Sequence, residues 1–162
     1  MCEKMEFWND LRSGKFASMV RESSAGQKLN NPEETYNIMK PLFADQSDVE
    51  SFYVIFLNAK NKILEIEKLF SGSITSSSVY PREIVKRVLA LKSAAVILVH
   101  NHPSGDTEPS NSDYVITTRI GVVLESISVM IHDHMIVGDG YHSMSEAGKL
   151  KIIQDKISEL TV

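Results

Sequence analysis

The segment from Ala94 to Asp113, AAVILVHNHPSGDTEPSNSD, is the most informative part of the chain, because it joins an apolar run to two histidines and a loop. Residues 94–99 are uninterruptedly apolar and predict a buried strand. Side chains alternate across a strand, so His100 and His102 are expected on the same face. The loop that follows is rich in Pro, Ser and Gly, and it delivers Asp113 to the start of the next helix.

This arrangement is typical of a metal site. Two imidazoles and one carboxylate, with a position left for water, form the ligand set of a catalytic zinc ion. The pattern therefore predicts a metal hydrolase with His100, His102 and Asp113 as ligands. Ser110 and Asp113 also fit a Ser-x-x-Asp capping box, which needs no metal. A capping box leaves the two histidines unexplained, and metal binding is therefore favoured.

The rest of the chain predicts an α/β fold in which helices pack on a mixed sheet, because strand and helix patterns alternate. Pro41 is expected to end or kink a helix that begins at Asn31. Residues 1–30 are interpreted as an N-terminal extension with one short helix, and residues 31–162 as a single domain. Strands are predicted at 52–57, 62–70, 94–100, 128–137 and 141–144, and helices after Asn31, at 81–91, around 116–127 and around 150–160.

Composition limits the class of protein. The chain has 162 residues, 43% of them hydrophobic and 23% charged, which is typical of one soluble globular domain. A net charge of −4 gives no electrostatic reason to expect nucleic acid as the main partner. Cys2 is the only cysteine, which excludes an internal disulfide and a thiolate zinc cluster. No apolar run is long enough to span a bilayer, and no signal-peptide core is present, so no membrane partner and a cytoplasmic location are predicted.

The motif also identifies a family. The spacing His-x-His, seven residues, Ser, two residues, Asp is met by His100, His102, Ser110 and Asp113, and it is the signature of the JAMM (MPN+) metalloprotease domain. Across about residues 45–150 the chain resembles the RadC family more closely. The segments that carry this resemblance are VYPREI at 79–84, HNHPSG at 100–105, Pro109-Ser110, Asp133-His134 and Ser143-x-x-Glu146-x-Gly148.

The resemblance implies a three-layer α/β/α JAMM (MPN) fold with a mixed sheet, and zinc bound by His100, His102 and Asp113. Longer RadC proteins carry an N-terminal helix-hairpin-helix region. Only a short and dissimilar segment precedes the JAMM part here, so DNA binding through that region is not carried over. The chain is expected to be a short form of the family.

The chemistry also needs a proton acceptor. Zinc lowers the pKa of bound water to about 7, and a nearby carboxylate must take the water's proton and pass it to the leaving amine. In the JAMM family this acid lies upstream at the beginning of a strand, and the matching residue is Glu50. Glu83 is the alternative, although acids are common in the first turn of a helix. The resemblance also implies that Ser110 stabilises the oxyanion.

A second cluster, His132-Asp133-His134, repeats the His-x-His spacing without the loop pattern. We interpret it as structural, or as a group that supports the metal ligands, with an imidazole oriented by Asp133.

The predicted function is a zinc-dependent metallopeptidase that cleaves a peptide or isopeptide bond in a peptide or protein substrate. The first alternative is a non-catalytic, metal-containing binding module associated with DNA repair or mobile-element functions. The second is a non-haem iron oxygenase, whose ligand set is similar but whose fold is usually a β-barrel. The sheet edge and the Trp8 segment are surfaces through which a homo-oligomer could form.

Overall fold

A computed structural model of the protein describes residues 2–44, 48–74 and 78–161. Every strand and helix predicted from residue 31 onward is present, with ends within two residues for most of them. The described helices are α1 (Cys2–Arg12), α2 (Lys15–Ser24), α3 (Pro32–Phe43), α4 (Pro81–Leu91), α5 (Asn111–Glu125) and α6 (Lys149–Leu160). The described strands are β1 (Ser51–Leu57), β2 (Ile63–Ser71), β3 (Ala95–Asn101), β4 (Met130–Gly138) and β5 (Gly140–Ser143).

The strands form one mixed sheet in the order β2-β1-β3-β4-β5. Strand β1 is antiparallel to both β2 and β3, whereas β3 and β4 are parallel and are joined through α5. Every residue of β1 and β3 is buried, as expected for central strands covered on both faces. In this register Phe52 pairs with His100, so the start of β1 lies beside the end of β3.

Apolar side chains form one core on each face of the sheet. Because neighbouring residues of a strand point in opposite directions, Phe52 and Val54 belong to one core, and Tyr53 and Ile55 to the other. The first core is closed by α4, α5 and α6, and the second by α2 and α3. Helices therefore cover both faces, and the predicted α/β class with a mixed sheet is confirmed.

Helix α3 begins as predicted but continues past its proline. Asn31 caps the helix by accepting a hydrogen bond of 2.9 Å from the backbone N–H of Glu34. Pro41 lies inside the helix, which ends only after Phe43. A proline removes one backbone hydrogen bond. Leu42 and Phe43 are buried in the core beyond it, and that burial favours the extra residues of helix.

The first thirty residues form two helices rather than the single short one predicted. Helix α2 packs against α3 and β2, and its Ala17 and Val20 contact the second core. The backbone that follows joins the β1–β2 hairpin, where Leu29 donates a hydrogen bond of 3.0 Å to the carbonyl of Asn61. The division into an extension and a domain at residue 30 stays a prediction. No helix in the described ranges has both the length and the apolar character needed to cross a bilayer.

Candidate metal centre

The three predicted ligands meet at one end of the sheet. The Nε2 atoms of His100 and His102 lie 3.0 Å apart. Asp113 Oδ1 is 3.1 Å from His100 Nε2, and Asp113 Oδ2 is 3.3 Å from His102 Nε2. His100 is fully buried and Asp113 is 3% exposed, whereas His102 is partly accessible. Two of the candidate ligands, His100 and Asp113, are thus buried, and the third, His102, lies on the solvent side.

The two histidines are positioned by the end of β3. His100 pairs with Phe52 on β1 and with Ile136 on β4, and its ring stacks on that of Phe52 with centroids 6.0 Å apart. His102 follows the strand, and its Nδ1 lies 2.8 Å from the backbone carbonyl of Asp106. Because a carbonyl only accepts, that Nδ1 carries a proton. With Nδ1 protonated, Nε2 is the nitrogen that faces Asp113; it donates to the carboxylate when it carries a proton, and a metal ion would take the place of that proton.

Asp113 serves as both a helix cap and a candidate ligand. Its Oδ2 accepts a hydrogen bond of 2.7 Å from the N–H of Ser110, and its own N–H donates one of 3.2 Å to Ser110 Oγ. The capping box therefore exists, and it holds the carboxylate in front of the histidines. Burial on its own raises the pKa of Asp113, but hydrogen bonding with His100 and His102 outweighs it and keeps the pKa well below its ordinary value. The carboxylate is ionised at neutral pH.

This geometry fits a zinc ion. Tetrahedral ligands about 2.0–2.1 Å from zinc lie about 3.3 Å from one another. The three contacts among His100, His102 and Asp113 are 3.0–3.3 Å long. An ionised, buried carboxylate beside imidazole nitrogens needs a cation, whether a proton or a metal. Two nitrogens and one carboxylate also leave a fourth zinc position for water or substrate.

Glu50 lies beside this centre, immediately before β1. It is half-buried, and its Oε2 accepts a hydrogen bond of 2.5 Å from the N–H of Ile74. The pKa of His102 is raised, mainly by its hydrogen bond to Asp113, and the negative charge of Glu50 adds to the shift. Glu50 is therefore within electrostatic reach of the candidate ligands.

Glu83, the alternative base, occupies the first turn of α4. It forms ion pairs with Lys86 at 3.1 Å and with Arg82 at 3.6 Å, and all three side chains are substantially exposed. These contacts match the structural interpretation, in which an acid stabilises the start of a helix.

Ser110, which caps the start of α5, is exposed on the solvent side of the centre. Its Oγ accepts the N–H of Asp113, which leaves the hydroxyl proton available for a further hydrogen bond. A donor in this position is compatible with the oxyanion role that the family resemblance implies.

Sequence reasoning missed Asn101, the residue between the two histidines. It is 5% exposed, and its side chain points away from theirs. Its Oδ1 accepts a hydrogen bond of 2.7 Å from the N–H of Ser51, and its Nδ2 donates one of 3.0 Å to the carbonyl of Val49. Only its position inside the His-x-His motif could have drawn attention to it, since its partners are about fifty residues away along the chain.

The second histidine cluster does not act as one group. His132 Nε2 lies 2.9 Å from Asn61 Oδ1. The carboxylate of Asp133 accepts hydrogen bonds from Ser143 Oγ at 2.6 Å and from the N–H of Ser145 at 2.9 Å. Asp133 therefore fixes the turn after β5.

His134 instead joins the metal centre. Its Nε2 lies 2.9 Å from His100 Nδ1, and its Nδ1 lies 2.5 Å from Thr117 Oγ1. The expectation that Asp133 orients an imidazole here is wrong for His134, because both of its ring nitrogens have other partners. The reason is the alternation of the strand, which turns residues 133 and 134 to opposite faces.

A depression of about 240 Å³ opens beside His102. Lys40 and Phe43 of α3 form one wall, and Gly138 at the end of β4 and Asp139 after it form another.

Comparison with known proteins identifies the family of this chain. The sequence model of the RadC-like JAB domain, the domain called JAMM above, matches residues 29–149. A UPF0758 protein of Thiobacillus denitrificans is 41% identical over 134 residues, which cover 82% of this chain and 59% of that protein. A UPF0758 protein of Ectopseudomonas mendocina is 47% identical over 133 residues, which cover 82% of this chain and 58% of that protein. This chain thus aligns with a little under three-fifths of each relative. It belongs to the RadC-like JAB domain family.

Proposed function

We propose that the protein is a zinc-dependent metallopeptidase that cleaves a peptide or isopeptide bond in a peptide or protein substrate. The observation that carries the proposal is the convergence of His100, His102 and Asp113, whose facing atoms lie 3.0–3.3 Å apart, together with the charge of Glu50 that acts on His102. Such a set pairs a metal site that has an open position with a separate proton acceptor.

Zinc held by His100, His102 and Asp113 would acidify a water molecule and polarise the scissile carbonyl. Glu50 would accept the proton of the attacking water and return it to the leaving amine. The N–H of Ile74 holds its Oε2, and its Oε1 would take part in the proton transfer. Ser110 would donate its hydroxyl proton to the developing oxyanion.

Glu50 is preferred to Glu83 as the base because of their surroundings. The charge of Glu50 reaches His102, whereas Glu83 is engaged with the cations Lys86 and Arg82 on α4. A carboxylate already paired with two cations is a weaker base than one facing the substrate.

The test combines metal content with turnover. Elemental mass spectrometry of protein purified without chelator should give about one zinc per chain, and His102→Ala should remove it. The zinc protein would then be screened against fluorogenic peptides and isopeptide-linked peptides. Glu50→Gln should retain zinc and lose turnover, and Glu83→Gln should retain both.

Three outcomes would contradict parts of this proposal. Loss of turnover in Glu83→Gln but not in Glu50→Gln would reassign the base. Full zinc loading without turnover across the screen would favour the non-catalytic binding module. Iron in place of zinc would favour oxygenase chemistry.

A further inference from the structure

We infer that Thr117 and His134 are positioning residues that keep the proton of neutral His100 on Nδ1, so that its Nε2 can bind a metal ion beside Asp113. The inference rests on the metal site of the proposed function, but it does not depend on the peptidase step. The supporting observation is a series of hydrogen bonds, called the relay below, that runs from the backbone of α5 through Thr117 and His134 to His100.

The donor and the acceptor of the first hydrogen bond in the relay are fixed by the chemistry of Thr117. Thr117 Oγ1 lies 2.6 Å from the backbone carbonyl of Asp113, one helical turn earlier. A carbonyl oxygen has no proton, so the hydroxyl of Thr117 must donate its only proton there. The hydroxyl can then only accept from its other partner. That partner is His134 Nδ1, at 2.5 Å. His134 therefore carries a proton on Nδ1.

The position of the proton on His134 then determines which atom donates in its hydrogen bond with His100. His134 is 0% exposed, and its two ring nitrogens face a hydroxyl and an imidazole rather than a carboxylate; a buried charge without an adjacent opposite charge is costly, so this ring is neutral and holds one proton. With that proton on Nδ1, its Nε2 has a lone pair and can only accept. The group 2.9 Å away is His100 Nδ1, which must donate. In neutral His100 the remaining nitrogen, Nε2, is consequently the unprotonated one.

Water cannot take the place of a relay residue unless the surrounding core rearranges. Thr117, His134 and His100 are each 0% exposed. The ring of Phe52 packs edge-on against His134 with centroids 5.7 Å apart, and the sulfur of Met144 lies 3.7 Å from Thr117 Oγ1. An apolar wall thus surrounds the relay, and in such surroundings an unpaired polar atom is costly.

The relay has the same effect on His100 as the carbonyl of Asp106 has on His102. The carbonyl of Asp106 keeps the proton of His102 on Nδ1, and Thr117 and His134 do the same for His100. In both neutral rings, Nε2 is therefore the nitrogen that can bind a metal ion beside Asp113. Loss of a partner that orients a metal-bound histidine typically reduces metal affinity by about 10- to 100-fold.

The test compares two neighbouring threonines of α5. Thr117→Val removes the hydroxyl of the relay. Thr118→Val is the matched control, because Thr118 also donates to a carbonyl one turn earlier, that of Tyr114 at 2.8 Å, whereas His134 Nδ1 is bonded to Thr117. Thr117→Ser keeps the hydroxyl. Zinc affinity is measured for all three by competition with a chromogenic chelator.

Thr117→Val should weaken zinc binding by about 10- to 100-fold, and Thr117→Ser and Thr118→Val should stay close to the wild-type value. In the wild-type protein with zinc, nitrogen-15 NMR of labelled histidines should place the proton of His134 on Nδ1. This second measurement decides the question even if Thr117→Val does not fold.

A proton on Nε2 of His134, or zinc affinity unchanged in a folded Thr117→Val, would overturn the inference. Failure of the wild-type protein to bind zinc would instead overturn the metal site of the proposed function. The two failures are therefore distinguishable.

Discussion

The side chain of Asn101 holds the backbone on both sides of Glu50. It accepts the N–H of Ser51 at 2.7 Å and donates to the carbonyl of Val49 at 3.0 Å. Asn101 stands between the two candidate histidine ligands at the end of β3, so a single amide connects the candidate metal ligands to the candidate base. The peptide hydrogen bonds between β1 and β3 do not extend to Glu50, which lies just outside the strand.

Replacing Asn101 with Ala should reduce turnover while leaving about one zinc per chain. The backbone around Glu50 would lose two hydrogen bonds, and the buried N–H of Ser51 would lose its partner, at a cost of about 1–3 kcal/mol in the free energy of unfolding. Zinc content, turnover and urea unfolding measured on the same preparation check this. Loss of zinc in parallel with turnover would mean that Asn101 supports the ligands rather than Glu50.

Zinc should stabilise the folded protein if the three ligands form a site. A ligand that binds only the native state adds about 2.7 kcal/mol at a free concentration one hundred times its Kd. Thermal unfolding with and without zinc should show a shift in the wild type and none in His100→Ala. His132→Ala, which alters a histidine paired with Asn61, should keep the shift. An equal shift in His100→Ala would place zinc elsewhere.

The two roles of Asp113 can be separated by a pair of variants. Asp113→Asn keeps an oxygen to accept the N–H of Ser110 but removes the charge, so the metal-free protein should unfold at a similar denaturant concentration and bind zinc weakly. Ser110→Ala removes the cap side chain, which should cost about 0.5–2 kcal/mol and leave zinc binding intact. Zinc titration and urea unfolding of both variants test the separation. The reverse pattern would make Asp113 a cap alone.

His132 should contribute to the loss of stability in acid. Burial lowers its pKa below 6.5 in the folded state, so the unfolded chain binds a proton more readily. The free energy of unfolding should therefore fall as the pH decreases from 7 through 6.5 and toward the lower folded pKa. His132→Gln should remove this part of the decrease. Urea unfolding from pH 7.5 to 5 in excess chelator measures it, and an unchanged slope would contradict the assignment.

Much of the fold could be predicted from local patterns. The helix at 81–91 agrees with the structure to the residue, because Pro81 favours the first turn and the apolar residues recur at helical spacing. The continuation of α3 past Pro41 could not be predicted. It depends on the burial of Leu42 and Phe43 in the core beside β1, a tertiary contact that helical spacing does not reveal.

The candidate ligands were predictable for a similar reason. His100, His102 and Asp113 lie within fourteen residues of one another, and the period of a strand and a single loop bring them together. The relay through Thr117 and His134 and the clamp formed by Asn101 join segments between 17 and 52 residues apart. The periodicity of a helix or a strand does not predict contacts between residues that are so far apart in the sequence.

Residue types at short and regular spacing were enough to predict most strands and helices, the candidate ligands His100, His102 and Asp113, and the family. The tertiary structure was needed to find that the charge of Glu50 acts on His102 and that His134 contacts His100. Those features depend on the parallel pairing of β3 with β4 and on the antiparallel pairing of β1 with β3. The pairing sets the distances between distant side chains, and hydrogen-bond direction follows only from those distances.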